Sequence, residues 1–240
     1  MSDTPRDSYS QEIGTLAAVS ARLGELGYVT SHGGNLSWRV AEDVVLITPT
    51  KVVKRKMRPE DICLIDMDGS LISAMEGRKP TGEQPMHLRI YEKRPDAASV
   101  VHAHPPILTG FSVSGRAALL RKPLLPEPVI EAGPVLLVEY AEPISEDLAA
   151  EFDKVLPYSN AFLMKNHGMT VCGSEGADRT LDIMEMLEME AYSVWVAHSL
   201  GSVDSIPPEE VEKMERTLKT RSLPIPGDPR YVTRLIEQYL

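Results

Sequence analysis

Apolar positions along this chain recur at two periods. Over residues 11–26, Ile13, Leu16, Ala17, Leu23 and Leu26 fall at helical intervals. Ser8 and Gln11 have the spacing of a capping box, and Gly27 supplies a stop. The longest helical pattern covers 178–199, with Leu181, Met184, Leu187, Ala191 and Val194 on one stripe. Met184, Met186 and Met189 read as core or subunit-contact filler. Shorter helices are predicted at about 107–114, from a Ser145 cap to 156, from 209 onward, and over 231–240. One more follows Pro80-Thr81-Gly82-Glu83-Gln84-Pro85, with Thr81 as its cap, and carries His87, Leu88 and Ile90 as far as Arg94-Pro95-Asp96.

Between these stripes lie short apolar, β-branched runs at 44–48, 62–67, 70–72, 100–104, 135–140, 161–166 and 169–172, which read as strands. Asp68-Gly69 predicts a two-residue hairpin turn. Residues 31–37 read as a small-residue loop, and residues up to about 8 as a loose arm. Strands that alternate with helices, interrupted by one hairpin, predict an α/β three-layer sandwich: a mixed central sheet with helices on both faces. The expectation is one domain over 1–240 with a helical extension from about 204. No Gly-rich nucleotide fingerprint follows a strand.

Composition adds limits. Hydrophobic residues make up 42% and charged residues 25% of 240, an ordinary globular balance. A net charge of −10 without a long basic run argues against nucleic acid as a partner. An anionic small molecule stays allowed, because a local cation cluster can hold one. Lys51, Lys54, Arg55, Lys56 and Arg58 are that cluster; most of it reads as a solvated face, with Lys51 the candidate contact. Cys63 and Cys172 are too few for a disulfide framework. With no signal peptide and no apolar run of spanning length, a cytoplasmic protein without a membrane partner is expected.

The chemistry concentrates on histidines. His102 and His104 are two apart in a strand and so share a face. Two imidazoles so placed suit one zinc, copper, iron or nickel ion, or form a satisfied pair at a strand end. His167 stands in similar strand context before Gly168. His32 reads as a loop residue with no ligand role, and His198 suits a helix C-terminus. In the loop, Gly33 and Gly34 can free backbone amides for an anion, with Asn35 and Ser37 adding side chains, or the loop is a plain turn. Thr48-Pro49-Thr50-Lys51 can form a second wall. Glu83 lies near a helix start, where unpaired amides favour an acid or a phosphate.

Taken in order, Gly-Gly-Asn-Leu-Ser at 33–37, Ile-Thr-Pro-Thr at 47–50, Pro-Thr-Gly-Glu at 80–83, Arg-Pro-Asp at 94–96, Val-Val-His-Ala-His at 100–104 and Asn-His-Gly at 166–168 form a set. That set resembles the class II aldolase/adducin family over about 11–199. The resemblance implies the family's fold and a zinc ion, or another divalent transition metal, on His102, His104 and His167. It makes Glu83 a fourth ligand at rest and the acid/base once substrate displaces it. Gly34, Asn35, Thr50 and Thr81 match phosphate-binding positions of the sugar-phosphate aldolases. Gly82 and Lys51 replace a serine and a glycine of that pattern, which alters the anion pocket. The aldolases' tyrosine from a neighbouring subunit has no obvious match; Glu127 falls near that position, and Tyr140 is the nearest tyrosine that follows. The implied activity is zinc-dependent cleavage of a phosphorylated ketose of the fuculose-1-phosphate kind into a dihydroxyacetone-phosphate-type ketone and a small aldehyde. The alternatives are a sugar-phosphate 4-epimerase, which typically has Asp where Glu83 stands, and a family dehydratase or decarboxylase acting on a related hydroxyketone or keto acid. An adducin-like interaction head typically lacks the metal ligands. A homotetramer with sites between subunits is expected.

Overall fold

The computed structural model describes residues 5–239. Eight strands form one sheet in the order β4-β3-β2-β1-β5-β8-β7-β6. They are β1 (Asn35–Ala41), β2 (Val44–Ile47), β3 (Cys63–Ile65), β4 (Leu71–Ser73), β5 (Ser99–Ala103), β6 (Leu136–Val138), β7 (Ala161–Met164) and β8 (Gly168–Gly173). Neighbours run antiparallel except β6 and β7, which are parallel, so the sheet is mixed.

Side-chain alternation sends each strand's apolar residues to both faces. On one face Leu36, Leu46, Leu64, Val101, Leu163 and Val171 pack under α1 (Ser10–Glu25), α3 (Pro106–Val113) and α6 (Ala177–Leu200). On the other, Val45, Ile47, Ile65, Val100, Phe162 and Cys172 pack under α2 (Gln84–Lys93) and α5 (Glu146–Glu151). This is the expected three-layer sandwich. A smaller apolar cluster of Val129, Val211, Leu218, Leu235 and Ile236 joins α4 (Pro126–Glu131) to α7 (Pro208–Thr220) and the tail.

Several local expectations need correction. The first residues of α1 take no side-chain cap from Ser8, because a 3₁₀ turn over Asp7–Tyr9 precedes it. The arm before it is tied down where Arg6 donates to Ile62 O at 2.6 Å and Pro59 O at 2.8 Å; residues 1–4 lie outside the described residues. The 62–72 hairpin turns over five residues, not two. Asp66 caps it by accepting from the amides of Asp68 and Ser70. The 145–156 helix keeps its Ser145 cap but ends at Glu151, then continues as 3₁₀ turns. The tail is a 3₁₀ turn over Ile236–Tyr239, not an α-helix; residue 240 lies outside the described residues. Buried Arg94 explains its motif. Its guanidinium donates to the carbonyls of Leu156 and Ser159, to Asp96 and to Asn160, stitching the end of α2 to the start of β7.

Candidate metal centre and its surroundings

β5 delivers His102 and ends just before His104. The chain then turns into α3, whose first amides need acceptors. Buried Glu188 of α6 supplies both: it accepts from Ile107 N at 2.8 Å and Leu108 N at 2.9 Å. His104 N donates to Tyr28 O at 2.8 Å, which fixes the exit from the strand. β7 and β8 form a tight hairpin whose turn, Lys165-Asn166-His167, has Asn166 at φ 56° and carries His167. The turn seats against β5, and no side chain fits at Gly168. A Cβ there would lie 2.5 Å from the His104 ring and 2.6 Å from Ala103 O.

Ligand nitrogens of His102, His104 and His167 come within 4.8 Å of one another. Glu83, at the N-cap of α2, closes the group. Its Oε2 is 3.6 Å from His102 Nε2 and its Oε1 is 3.6 Å from His167 Nε2. His102 Nδ1 donates to Met169 O at 3.0 Å, which leaves Nε2 as a lone pair facing the group. Burial, reinforced by the neighbouring imidazoles of His104 and His167, holds His102 well below the usual histidine range. Burial and His167 lower His104 in the same way, although Glu83 opposes the shift. Among the described residues, the buried atoms His102 Nε2, His104 Nε2 and Glu83 Oε1 have no hydrogen-bond partner. Buried polar atoms left unpaired are costly, and three of them gathered in one cluster suit a shared cation. The donor set fits a divalent transition metal.

The loops around this centre are knitted together. Leu36 N donates to Thr48 Oγ1 at 3.1 Å, Thr81 N to Thr48 O at 3.1 Å, and Thr50 N to Lys79 O at 3.0 Å. Gly34, at φ 67°, lies where a Cβ would meet Val29 and His102 O at 2.6 and 2.8 Å. Thr81 does not cap α2; its hydroxyl accepts from Glu83 N at 3.3 Å, one residue before the helix. Thr50 and Lys51 are exposed. Lys51 has φ 60°, a conformation that suits the glycine it replaces. Gly82 is faced by Ile144: a Cβ there would come 3.0 Å from Ile144 Cγ2. Ile144 itself holds φ 71°, a genuine outlier for a β-branched residue.

Two placements differ from the sequence expectation. The 31–37 loop ends early, since β1 begins at Asn35. Asn35 points into the protein: its Nδ2 donates to Glu83 Oε2 at 2.6 Å and its Oδ1 accepts from His87 Nε2 at 2.5 Å. The cation cluster is not wholly a solvated face, because Lys54 turns inward and interacts with Glu83. Lys54 is 2% exposed, and its Nζ donates one long bond, to His32 O at 3.4 Å. Burial lowers its pKa to about 8 against the pull of Glu83. No local pattern marks Lys54, which sits in a run of surface cations. His32 is exposed and bonded to Ser31, in keeping with a loop role.

These features define a class: mixed α/β sandwiches with a three-histidine, one-carboxylate cluster at the end of a central strand. The chain belongs to the class II aldolase and adducin N-terminal domain family, whose model matches residues 14–194. It is 33% identical over 172 residues to a 3-oxo-tetronate 4-phosphate decarboxylase of Haemophilus influenzae, covering 69% of this chain and 80% of that one. It is 32% identical over 173 residues to an L-fuculose phosphate aldolase of Methanocaldococcus jannaschii, covering 72% and 90%. Among solved structures, an L-fuculose 1-phosphate aldolase superposes with a TM-score of 0.77 at 26% identity, over 91% of this chain and all of that one (100%). YgbL from Escherichia coli superposes with a TM-score of 0.78 at 25% identity, over 86% and 99%. Among the described residues no helix is long and apolar enough to cross a membrane.

Proposed function

We propose that the chain is a metal-dependent lyase that breaks a carbon–carbon bond beside the carbonyl of a phosphorylated substrate. One observation carries this reading: three histidines gather with Glu83 beside them, and buried polar atoms of the cluster are unpaired. His102, His104 and His167 hold the ion, with zinc as first candidate because imidazole-rich, carboxylate-containing sites suit it. A bound ion supplies Lewis acidity toward substrate oxygens. Glu83 is a ligand at rest and moves the proton to the carbon that keeps the electron pair of the broken bond. The loops with Gly34, Asn35, Thr50, Lys51, Thr81 and Gly82 receive the phosphate, and Lys54 adds a buried positive charge.

The first form of this reading is an aldolase acting on a ketose phosphate of the fuculose-1-phosphate kind. The second is a decarboxylase acting on a phosphorylated 3-oxo acid, which the similarity to a 3-oxo-tetronate 4-phosphate decarboxylase supports. Retro-aldol cleavage must remove a hydroxyl proton, the task of the aldolases' tyrosine. Loss of CO2 from a carboxylate needs no such step. Glu127, exposed on α4, stands near that tyrosine's position in the sequence. Met189, Tyr192, Trp195, Val196 and Leu200 leave an exposed apolar stripe on α6, which supports assembly as a homotetramer.

Turnover of L-fuculose 1-phosphate and 3-oxo-tetronate 4-phosphate, read as aldehyde or CO2 with metal content measured alongside, tests the reading. Glu83→Gln is expected to keep metal and lower kcat by roughly 10²-fold or more on whichever substrate turns over. A chelated enzyme with undiminished rate, or a Glu83→Gln enzyme at wild-type rate, overturns it.

A further inference from the structure

Below Glu83 a line of polar side chains runs inward. Glu83, His87 and Tyr91 recur every four residues along one face of α2, and Asn35 and Ser37 recur every two along the facing side of β1. The two stripes mesh. Asn35 bonds Glu83 at 2.6 Å and His87 at 2.5 Å; Ser37 Oγ lies 2.7 Å from His87 Nδ1 and 2.7 Å from Tyr91 OH. His87, Ser37, Tyr91 and Asn35 are at most 3% exposed.

The direction of every bond follows from the end of the line. A carboxylate only accepts, so the Asn35 amide must turn its NH2 to Glu83 Oε2. Its Oδ1 then faces His87 and needs a donor, so the proton of His87 sits on Nε2. A neutral imidazole has one N–H, which leaves Nδ1 to accept from the Ser37 hydroxyl. Ser37 has then spent its proton and accepts from Tyr91. Complete burial, with His102 adding to it against Glu83, pushes His87 down to about 3. The imidazole is therefore neutral across the working pH range.

We propose that His87 is a positioning residue for Glu83: through Asn35 it holds Oε2 in place and leaves Oε1 as the oxygen free to work. This deepens the lyase reading above and rests on it. It also reassigns Asn35, whose side-chain amide is committed to Glu83 instead of to the substrate's phosphate. An asparagine whose oxygen had no donor could rotate and set its own oxygen against the carboxylate. The line from Tyr91 prevents that rotation.

The test has one arm independent of turnover. Long-range proton–nitrogen NMR of the metal-free protein at pH 7 should show His87 neutral and protonated on Nε2; the Nδ1–H tautomer or an imidazolium overturns the proposal. In the second arm, His87→Leu should lower kcat by roughly 10–100-fold, the usual worth of a group supporting a metal-site residue. KM should stay within about 3-fold and metal content should be unchanged. His87→Gln, whose amide can still donate to Asn35, should recover most of that loss. Equal rates for the two variants, or a raised KM with kcat intact, overturn the positioning role. Should His87→Leu fail to fold, the NMR tautomer and a His87→Gln rate below one-tenth of wild type or above it decide the same question, the lower rate counting against the proposal. A wild-type protein that turns over neither substrate defeats the lyase reading itself and leaves the tautomer result standing.

Discussion

His102 and Glu83 stand on a buried strand and at the start of a buried helix face, where neighbouring groups fix each ring and oxygen. Thr50, Lys51 and Gly82, three of the six positions proposed to receive the phosphate, stand on loops at the surface, and two of the left-handed non-glycine residues, Lys51 and Ile144, lie beside them. A regular element limits a side chain to a few directions, as β5 does for His102; His104 just past β5 and His167 in the β7–β8 turn are fixed instead by the close packing of that turn on the strand end. Loops tolerate replacement, and two of the departures from the family pattern, Lys51 and Gly82, fall on them. The contrast separates what the site does from what it acts on. Chemistry should be sensitive to any change on β5, and substrate preference to changes in the loops.

The harshest test of that division is the loss of one ligand. His104→Ala should strip most of the metal, measured by mass spectrometry, and cut turnover by roughly 10³-fold or more, since the ion is worth several kcal/mol of transition-state stabilisation. The fold should persist, because Glu188 still caps α3 and His104 N still donates to Tyr28. Retention of both metal and rate would remove His104 from the centre.

The same division governs what could be read from sequence. Val100 to Ala103 is an uninterrupted apolar run broken only by His102, so the strand and the histidine pair at its end are plain in the sequence. The stripes of α1 and α6 were equally plain. β1 was not, although Leu36, Trp38 and Val40 alternate, because Gly33 and Gly34 precede it and Asn35 and Ser37 carry turn propensity. Those two residues face α2 instead of solvent, and their hydrogen bonds become satisfiable only once β1 and α2 pack. Lys54 was hidden for a similar reason. Its burial depends on the 31–34 loop, tied by Lys54 N donating to Ser31 O, a contact twenty-three residues away in sequence. The histidine-to-histidine pairing across β5 and the β7–β8 turn is non-local too, and came from the family resemblance instead of from spacing.

Lys54 offers a middle-sized effect at the border of the two regions. Its ammonium, if it meets an anionic group of the substrate, contributes a charged hydrogen bond of about 1.5–3 kcal/mol. Lys54→Met should then lower kcat/KM by roughly 10–100-fold, chiefly through KM. The sign with pH is fixed by the lowered pKa. The group is cationic below about 8 and neutral above it. Wild-type kcat/KM should fall as pH rises through about 8, and the Lys54→Met profile should lose that limb. Identical alkaline limbs in both enzymes would place Lys54 outside the binding step.

Lys51 should show the smallest effect, with two opposing readouts. Its left-handed backbone costs a non-glycine residue roughly 1–2 kcal/mol. Glycine relieves that cost but gives the unfolded chain more freedom, worth roughly 0.4–1 kcal/mol the other way. Lys51→Gly should therefore gain between zero and about 1.6 kcal/mol, a rise of at most roughly 3–6 °C in Tm for a chain of this size. The exposed ammonium contributes little to binding in high dielectric, so kcat/KM should drop by no more than about 5-fold, the equivalent of about 1 kcal/mol. Salt should erase that drop, because surface charge is screened within about 10 Å at 0.1 M. A Lys51→Gly enzyme that gains stability and loses 100-fold in kcat/KM would contradict the division drawn above. It would mean that an exposed loop residue meets the substrate in a desolvated setting, which this chain could provide only by closing over it or through a neighbouring subunit. Light scattering on the same variant, with and without substrate, would tell those two apart.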